Sequence, residues 1–474
     1  MSQEMGIYVN DTICAVSTAS GMGAIAVVRL SGERSHEIAL SVFRKKTGAL
    51  NISDIKAYRA YFGEVFDPNS EDYAMIDEVL VTFFKNPHSY TGEDSVEISC
   101  HGSVYVQQRI LELLVNQGAR LAGPGEFSKR AFINGKLDLT QAEAVADLIS
   151  SQNEASHRIA VNQLKGGFSK ELKELRAKLL DLTSLLELEL DFSEEDVEFA
   201  DRTQLRNILN ESLTHIGKLT DSFRLGNAIK NGIPVAIVGE TNAGKSTLLN
   251  AILGEERAIV SDIEGTTRDT IEETFNIDGT LYRFIDTAGI RETSETIEKI
   301  GIERTFRKIS EADIILGVLD LTKGYENVCK SAELIISKID SEKQTLLLIG
   351  NKRDLADSFP ISKLQESFSG IHFSFISAKD TADIDTLKSL IIKYSDIHQV
   401  TSNESLVTNV RHYEALVHAA QSLRQVSGGM DMNLSADLLA EDLKQGLYHL
   451  GSITGEVTNS EVLGNIFGRF CVGK

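Results

Sequence analysis

Eight consecutive residues, Gly239-Glu240-Thr241-Asn242-Ala243-Gly244-Lys245-Ser246, carry the spacing G-x-x-x-x-G-K-[ST]. The glycines let backbone N–H groups turn inward around phosphate oxygens, and a helix starting there adds the positive end of its dipole. In that pattern Lys245 reaches the β- and γ-phosphates and the Ser246 hydroxyl ligates Mg2+. The flanks supply the strand–loop–helix context that the motif needs. Residues 233–238 predict a short buried strand, and 247–253 predict a helix.

Four more segments follow in the order a GTPase requires. Gly265-Thr266-Thr267-Arg268-Asp269 offers a switch Thr for Mg2+. Asp286-Thr287-Ala288-Gly289 follows the strand-like run 281–285 and offers a metal-linked Asp and a backbone N–H for the γ-phosphate. Asn351-Lys352-Arg353-Asp354 follows the apolar run 346–349, and Ser377-Ala378-Lys379 follows 373–376. The Asp354 carboxylate suits guanine, because it accepts from a ring N–H and an exocyclic amine that adenine does not offer together. Each segment alone is a weak signal; five in order, each after a strand-like run, are specific. The set resembles the Ras-like, translation-factor-related GTPases, which implies GTP binding and hydrolysis. One position departs from them: Ras-type enzymes place a water-orienting Gln directly after D-x-x-G, and here that residue is Ile290. The catalytic group must come from elsewhere. Residues 291–299 are polar and lead into an amphipathic helix expected at 300–309.

The chain of 474 residues predicts two to four domains, with 42% hydrophobic and 25% charged residues giving ample core. No segment has the apolar length of a membrane span, and the uncharged stretch 12–28 lacks a basic leader, which argues against a signal peptide. Cys14, Cys100, Cys329 and Cys471 are scattered without a C-x-x-C pair, which fits a reducing cytoplasm and no structural zinc. A net charge of −21 makes the chain a poor binder of nucleic-acid phosphates on its own, so a local basic patch or a basic partner is expected to supply such contacts.

The elements that must hold these motifs fall into three kinds. Strands expected at 23–30, 58–65 and 77–84 and a helix at 106–115 make an α+β N-terminal domain, 1–122. From about Pro124 the pattern is helical. Thr140 is expected to N-cap a helix starting at Gln141, with Glu143 as capping-box partner, and helical spacing continues to about Leu190 with a break at Gly166-Gly167. Further helical runs cover 203–228, 403–426 and 434–470. The simplest architecture inserts an α/β Ras-like P-loop GTPase domain, 230–395, into an all-α domain whose parts are 123–229 and 396–474.

Outside the GTPase segments the plain reading of Pro124 to Phe132, of Asn134 to Leu139 and of Thr91-Gly92-Glu93-Asp94 with His101-Gly102 is solvated loop; Asp191 to Asp196 reads as an acidic turn. The end Cys471-Val472-Gly473-Lys474 reads as flexible and basic, suited to reaching an anion. Together these segments resemble the MnmE (TrmE) family of tRNA-modifying GTPases over nearly the full length. The resemblance rests on 23–32, Thr91 to Asp94, Pro124 to Asp147, the nucleotide motifs and the terminal Cys-Val-Gly-Lys.

The resemblance implies a folate-binding N-terminal domain that also makes the protein a homodimer. Arg29, Glu97, Lys136 and Lys474 match the positions that contact a 5-formyl- or methylene-tetrahydrofolate. It implies nucleotide contacts from Asn242, Ala243, Gly244, Lys245, Ser246 and Thr247, and from Ser261, Asp262, Ile263, Glu264, Gly265, Thr266 and Thr267. Further contacts come from Asp286, Thr287, Ala288 and Gly289, from Asn351, Lys352 and Asp354, and from Ser377, Ala378 and Lys379. Ser246 and Thr267 match the Mg2+ ligands, while Asn242, Ser261, Ile263 and Thr266 match a K+ site that replaces an arginine finger. Glu298 matches the catalytic Glu that orients the attacking water. The implied output is modification of C5 of the wobble uridine of certain tRNAs, with the FAD-dependent partner MnmG in a heterotetramer or larger complex, in the cytoplasm and away from membranes. Cys471 stands as either a packed thiol or a participant in the chemistry. Two rival readings are a ribosome-assembly GTPase and a folate-binding scaffold with a vestigial GTPase; the first lacks a basic RNA-binding appendage here, and the intact set from Lys245 to Lys379 argues against the second.

Overall fold

The computed structural model describes residues 11–46, 48, 50–70, 74–191, 202–254, 273–278, 280–285, 312–341, 343–395, 406–458, 460–468 and 470–473. They fall into two compact units. One comprises Met1–Ile149, Ala160–Ser212 and His418–Lys474; the other comprises Ser150–Ile159 and Leu213–Val417.

In the first unit, short stretches of alternating apolar residues form a seven-stranded sheet. Its strands are β1 (Ile13–Val16), β2 (Ile25–Ser31), β3 (Phe43–Lys45), β4 (Ala60–Phe66), β5 (Met75–Phe84), β6 (Ser95–His101) and β7 (Arg120–Leu121), in the order β3-β4-β5-β6-β2-β1-β7. Neighbours are antiparallel except β1 and β7. Helices α1 (Ser35–Val42) and α2 (Val104–Asn116) cover one face, where Val28, Leu30, Val81, Phe83, Val96 and Ile98 meet Ile38, Ile110 and Leu113. Because side chains alternate along a strand, Glu97, Ser99 and His101 point to the other face of β6. The strands expected at 23–30, 58–65 and 77–84 form with shifted ends; β1, β3 and β7 are too short for a periodic signal.

The helical part differs from expectation at two places. Residues 126–133, read as solvated loop, form α3 (Glu126–Ile133) with Phe127, Ser128, Arg130 and Ala131 buried. The next helix, α4 (Leu139–Ser150), is capped by Asp138 and not by Thr140. Asp138 Oδ1 accepts from the Gln141 N–H at 3.0 Å and Gln141 Oε1 accepts from the Asp138 N–H at 3.0 Å, a capping box placed two residues earlier in the chain. Thr140 instead lies in the core and donates to Asp138. Three helices follow: α5 (Glu154–Leu164), α6 (Gly167–Asp191) and α7 (Arg202–Asn231).

The second unit holds a six-stranded sheet of β8 (Ile233–Gly239), β9 (Glu273–Ile277), β10 (Thr280–Phe284), β11 (Ile314–Asp320), β12 (Thr345–Asn351) and β13 (His372–Phe375), ordered β13-β12-β11-β8-β10-β9. All pairs are parallel except β9 with β10. Helices α8 (Lys245–Leu253) and α11 (Thr381–Lys393) pack on one face and α9 (Tyr325–Ile336) on the other, with α10 (Ile361–Ser367) joining β12 to β13. Burial on both faces explains why these strands read as continuous apolar runs. The order is that of a Ras-like P-loop domain, and in such sheets ligands bind at the carboxyl ends of the strands.

Beyond the second sheet come α12 (Val410–Asp431), α13 (Ala436–Thr454) and α14 (Ser460–Phe467). The helix expected over 434–470 is two helices, because Gly455 ends α13 in the left-handed conformation at φ 85°. Leu172, Leu175, Leu179, Leu182 and Leu186 of α6 recur at three- and four-residue steps and are buried, as are Leu439, Leu443, Leu447 and Leu450 of α13. The two helices pack together, so chain segments on either side of the GTPase block share one core. That is the arrangement of an insertion into an all-α domain.

Candidate functional site

The phosphate loop joins β8 to α8. Gly239 leaves the strand at φ 150° and Gly244 enters the helix at φ 94°. A Cβ would stand 2.3 Å from the Val318 carbonyl oxygen at Gly239 and 2.2 Å from Asn351 Nδ2 at Gly244, so both glycines are required sterically. Asn242 is also left-handed, at φ 64°, which Asn tolerates better than most residues. Lys245 Nζ donates to the carbonyls of Gly239 at 2.9 Å and Glu240 at 2.7 Å, which fixes an ammonium against the loop. Ser246 sits half-buried in the first turn of α8, beside that ammonium in sequence.

Two further loops are tied to this one. Asn351 ends β12 and is buried. Its Nδ2 donates to the Ala243 carbonyl at 2.9 Å and its Oδ1 accepts from the Ala378 N–H at 3.1 Å. Lys352, at φ 62°, donates to the Asn242 carbonyl at 2.9 Å and to Asp320 Oδ2 at 2.6 Å. Burial pushes the Asp320 carboxyl up, but the bonds from Lys352 and Thr322 outweigh it and hold the group below its ordinary value. Asp354 lies exposed on the turn Arg353–Leu355, and Lys379 is exposed on the adjacent loop. That loop is anchored by Asp383, whose Oδ2 accepts from the Ser377 N–H at 2.7 Å while Oδ1 takes Arg353 at 3.0 Å. The structure thus gathers Asn242 to Thr247, Asn351 to Asp354 and Ser377 to Lys379 at one sheet edge. The expected residues 261–267, Asp286, Thr287, Ala288, Gly289, Ile290 and Glu298, with the helix at 300–309, lie outside the described residues. Sequence reading missed Asp320 and Asp383, which touch the motifs only through the fold.

The face of the N-terminal sheet opposite α1 and α2, partly covered by Phe127 and Tyr90, carries a second constellation. Arg29 of β2 is the direct register partner of Glu97 of β6, and its Nη2 and Nε reach Glu97 Oε1 at 2.7 and 3.0 Å. The guanidinium lies 5.3 Å from the ring centre of Tyr90 and 5.7 Å from that of Phe127, within the range of cation–π attraction. The Tyr90 hydroxyl bonds Ser128 Oγ at 2.8 Å. Thr91 and Glu93 are not solvated loop. Thr91 is buried, Ser31 Oγ lies 2.6 Å from Thr91 Oγ1 and donates to Glu93 Oε2 at 2.8 Å, and Arg130 meets Asp11, Glu93 and Glu126 at 2.5, 3.2 and 3.2 Å. Burial pushes Asp11 and Glu126 up, yet bonds from Arg120 and the charge of Arg130 leave both carboxyls below their ordinary values. Lys136 is exposed, with its stem against Gly92.

The chain end departs from the flexible tail expected of it. Val472 pairs with Pro124, the Gly125 N–H donates to the Cys471 carbonyl at 3.3 Å, and Ser17 Oγ donates to the Gly473 carbonyl at 3.1 Å. Gly473 is buried at φ 93°, where a Cβ would meet the Val16 carbonyl oxygen at 2.2 Å. Cys471 is exposed and not a packed thiol. Lys474 lies outside the described residues. The Ser17 N–H bonds the Val27 carbonyl at 2.8 Å, so the tail lies beside the start of the β1–β2 connection.

Family models match the chain on both sides of residue 138. Residues 139–471 match the family described as MnmE helical domain, and 12–136 match GTP-binding protein TrmE N-terminus. A tRNA modification GTPase MnmE of Bacteroides fragilis is 51% identical over 469 residues, spanning 98% of this chain and 99% of the relative. The protein of the same name from Bacteroides thetaiotaomicron gives the same figures. That from Flavobacterium johnsoniae is 50% identical over 471 residues, spanning 98% and 99%. Among solved structures, Era of Aquifex aeolicus overlaps 40% of this chain and 66% of its own at 28% identity, with a TM-score of 0.27, and adds nothing to the strand order given above. With half of its residues shared along almost the whole length of such relatives, the chain belongs to the MnmE family of tRNA modification GTPases.

Proposed function

We propose that this chain is a potassium-activated cytoplasmic GTPase that works as a homodimer with the FAD-dependent partner MnmG. Together they modify C5 of the wobble uridine of certain tRNAs with a one-carbon unit carried by tetrahydrofolate. The domains of that reading are 1–122 for folate and dimerisation, 230–395 for GTP, and a helical domain of 123–229 with 396–474.

The observation that carries the GTP part is the amide of Asn351, which bonds the phosphate loop on one side and the Ala378 loop on the other. It ties the phosphate loop to the Ser377-Ala378 loop. Asp354 then accepts from the guanine ring N–H and amine, while Lys245 and the N-terminus of α8 hold the phosphates. The residues fit the two cations. The Ser246 hydroxyl starts α8 beside Lys245, as a Mg2+ ligand shared with Thr267 requires. Asn242 has its carbonyl taken by Lys352, which leaves its exposed side-chain amide for a K+ site shared with Ser261, Ile263 and Thr266. K+ supplies positive charge where negative charge develops on the transferred phosphoryl. Glu298 orients the attacking water, a task Ile290 has no polar atom to perform.

The folate part is supported by Arg29 and Glu97, half-buried register partners on one face of the sheet. A carboxylate suits the pterin amine and ring N–H; Arg29, Lys136 and Lys474 suit the carboxylates of the folate tail. The exposed thiol of Cys471, held by the pinned tail, is available to the same ligand. Mass spectrometry of wobble nucleosides from cells lacking this chain tests the whole reading. Loss of the C5 aminomethyl-type group is expected, and an unchanged nucleoside profile contradicts it.

A further inference from the structure

The Arg29 face holds a second oriented group. His101 ends β6, and its Nδ1 lies 2.7 Å from Asp77 Oδ1 while Asp77 Oδ2 accepts from the His101 N–H at 2.7 Å. An ionised carboxylate only accepts, so in the neutral ring Nδ1 is the protonated nitrogen and Nε2 has the lone pair. The two side chains differ sharply in exposure, 10% for Asp77 and 71% for His101. This is a buried carboxylate aiming an open imidazole, which is the base-and-orienter half of a catalytic constellation.

The exposed imidazole stands beside a glycine loop. The loop beside it is Gly21-Met22-Gly23, latched by Gly23 N–H to the Gly102 carbonyl at 3.1 Å and Gly102 N–H to the Ala24 carbonyl at 3.2 Å. A Cβ at Gly102 would lie 2.3 Å from the Gly23 carbonyl oxygen, so the loop comes this close only to a glycine. A Cβ at Gly21 would meet nothing within 4 Å, and Met22 and Ile25 are exposed.

His101 also shares its strand and face with Glu97. Four residues of extended chain separate them by about 13 Å. Between them on β6 lies Ser99, flanked by its register partners Val27 of β2 and the exposed Leu80 of β5. The strip of β6 from the Arg29–Glu97 pair to His101 is on the scale of an elongated ligand with polar ends.

We propose that His101, oriented by Asp77, is the proton-accepting residue of this face and serves the amine that takes up the one-carbon unit. This rests on the folate reading above. An amine in its ammonium form has no lone pair to give. Transfer of one N–H proton to His101 Nε2 frees that pair, and the imidazolium so formed is paired with the Asp77 carboxylate. Nothing is oxidised or reduced. Asp77 is the positioning residue.

Imidazole 1H–15N spectra of the full chain, with His101→Gln to assign the signals, test this without turnover. The expected result is an Nδ1-protonated tautomer for His101 whose signals move when 5-formyl-tetrahydrofolate is added, and a mixed tautomer in Asp77→Asn. In the reconstituted reaction with the flavin partner, His101→Gln is expected to bind 5-formyl-tetrahydrofolate within about threefold of wild type but to modify tRNA about 100-fold more slowly, the usual scale for loss of a general base. Modification by His101→Gln at the wild-type rate, or His101 signals indifferent to the folate, overturns the proposal. Arg29→Ala separates the two layers. If it loses folate binding while His101→Gln stays fully active, only the role of His101 fails; if it binds folate normally, the folate reading fails as well.

Discussion

Asn351 Nδ2 donates to the Ala243 carbonyl at 2.9 Å across 108 residues of sequence, so the base-reading strand end and the phosphate loop are one hydrogen-bonded body. Asn351→Ala leaves two buried backbone groups, Ala243 C=O and Ala378 N–H, without that partner. Each such loss costs about 1–3 kcal/mol. Fluorescent GDP titration is expected to show affinity reduced by at least about 30-fold, and a change under threefold contradicts the linkage.

Asp354 carries the base preference. Asp354→Asn replaces an acceptor pair with one acceptor and one donor, which no longer matches the guanine ring N–H and amine but does match a base with a carbonyl at that position. GTP affinity is expected to fall about 100-fold, from loss of charge-assisted bonds, and xanthosine triphosphate to become the better ligand in competition binding.

Arg130 is nearly inaccessible among three carboxylates. Arg130→Met leaves Glu93 without its cation while Asp11 and Glu126 keep only Arg120, and is expected to cost about 3 kcal/mol of stability in urea unfolding at pH 7. Asp11 and Glu126 are held below their ordinary values of 3.8 and 4.5, so their contribution is present above those values and is lost as pH falls through and below them. The wild-type chain should therefore lose stability on acidification below about pH 4.5, and Arg130→Met should lose less over the same range.

Gly473→Ala tests the pinned tail. The left-handed backbone and the Val16 carbonyl leave no place for a Cβ, so the tail must move away from Ser17. If the tail serves the Arg29 face, 5-formyl-tetrahydrofolate affinity drops at least about tenfold, or 1.4 kcal/mol. Unchanged affinity by calorimetry contradicts that role.

What sequence made legible was whatever chemistry sits in one contiguous run. The phosphate loop, the Asn351 and Ser377 motifs and the apolar strands ahead of them are local patterns, and each lies where its strand must end. Arg130 looked solvated because it is charged; its burial depends on Asp11 and Glu93, 119 and 37 residues away. Asp320 and Asp383 look like ordinary strand-end and helix acids until the fold brings Lys352 and the Ser377 N–H to them. The cap of α4 was misplaced because Asp138-x-x-Gln141 and Thr140-x-x-Glu143 are both admissible boxes, and burial of Thr140 decides between them. The tail read as mobile because Gly-Lys carries no packing signal, whereas its hold comes from Ser17 and Pro124.

Steady-state GTP turnover in KCl and in NaCl at equal ionic strength tests the central claim, that a monovalent cation stands in for the glutamine absent at Ile290. Turnover at least about tenfold faster in KCl is predicted, from the loss expected when one transition-state charge partner is removed. Equal rates in the two salts would contradict it.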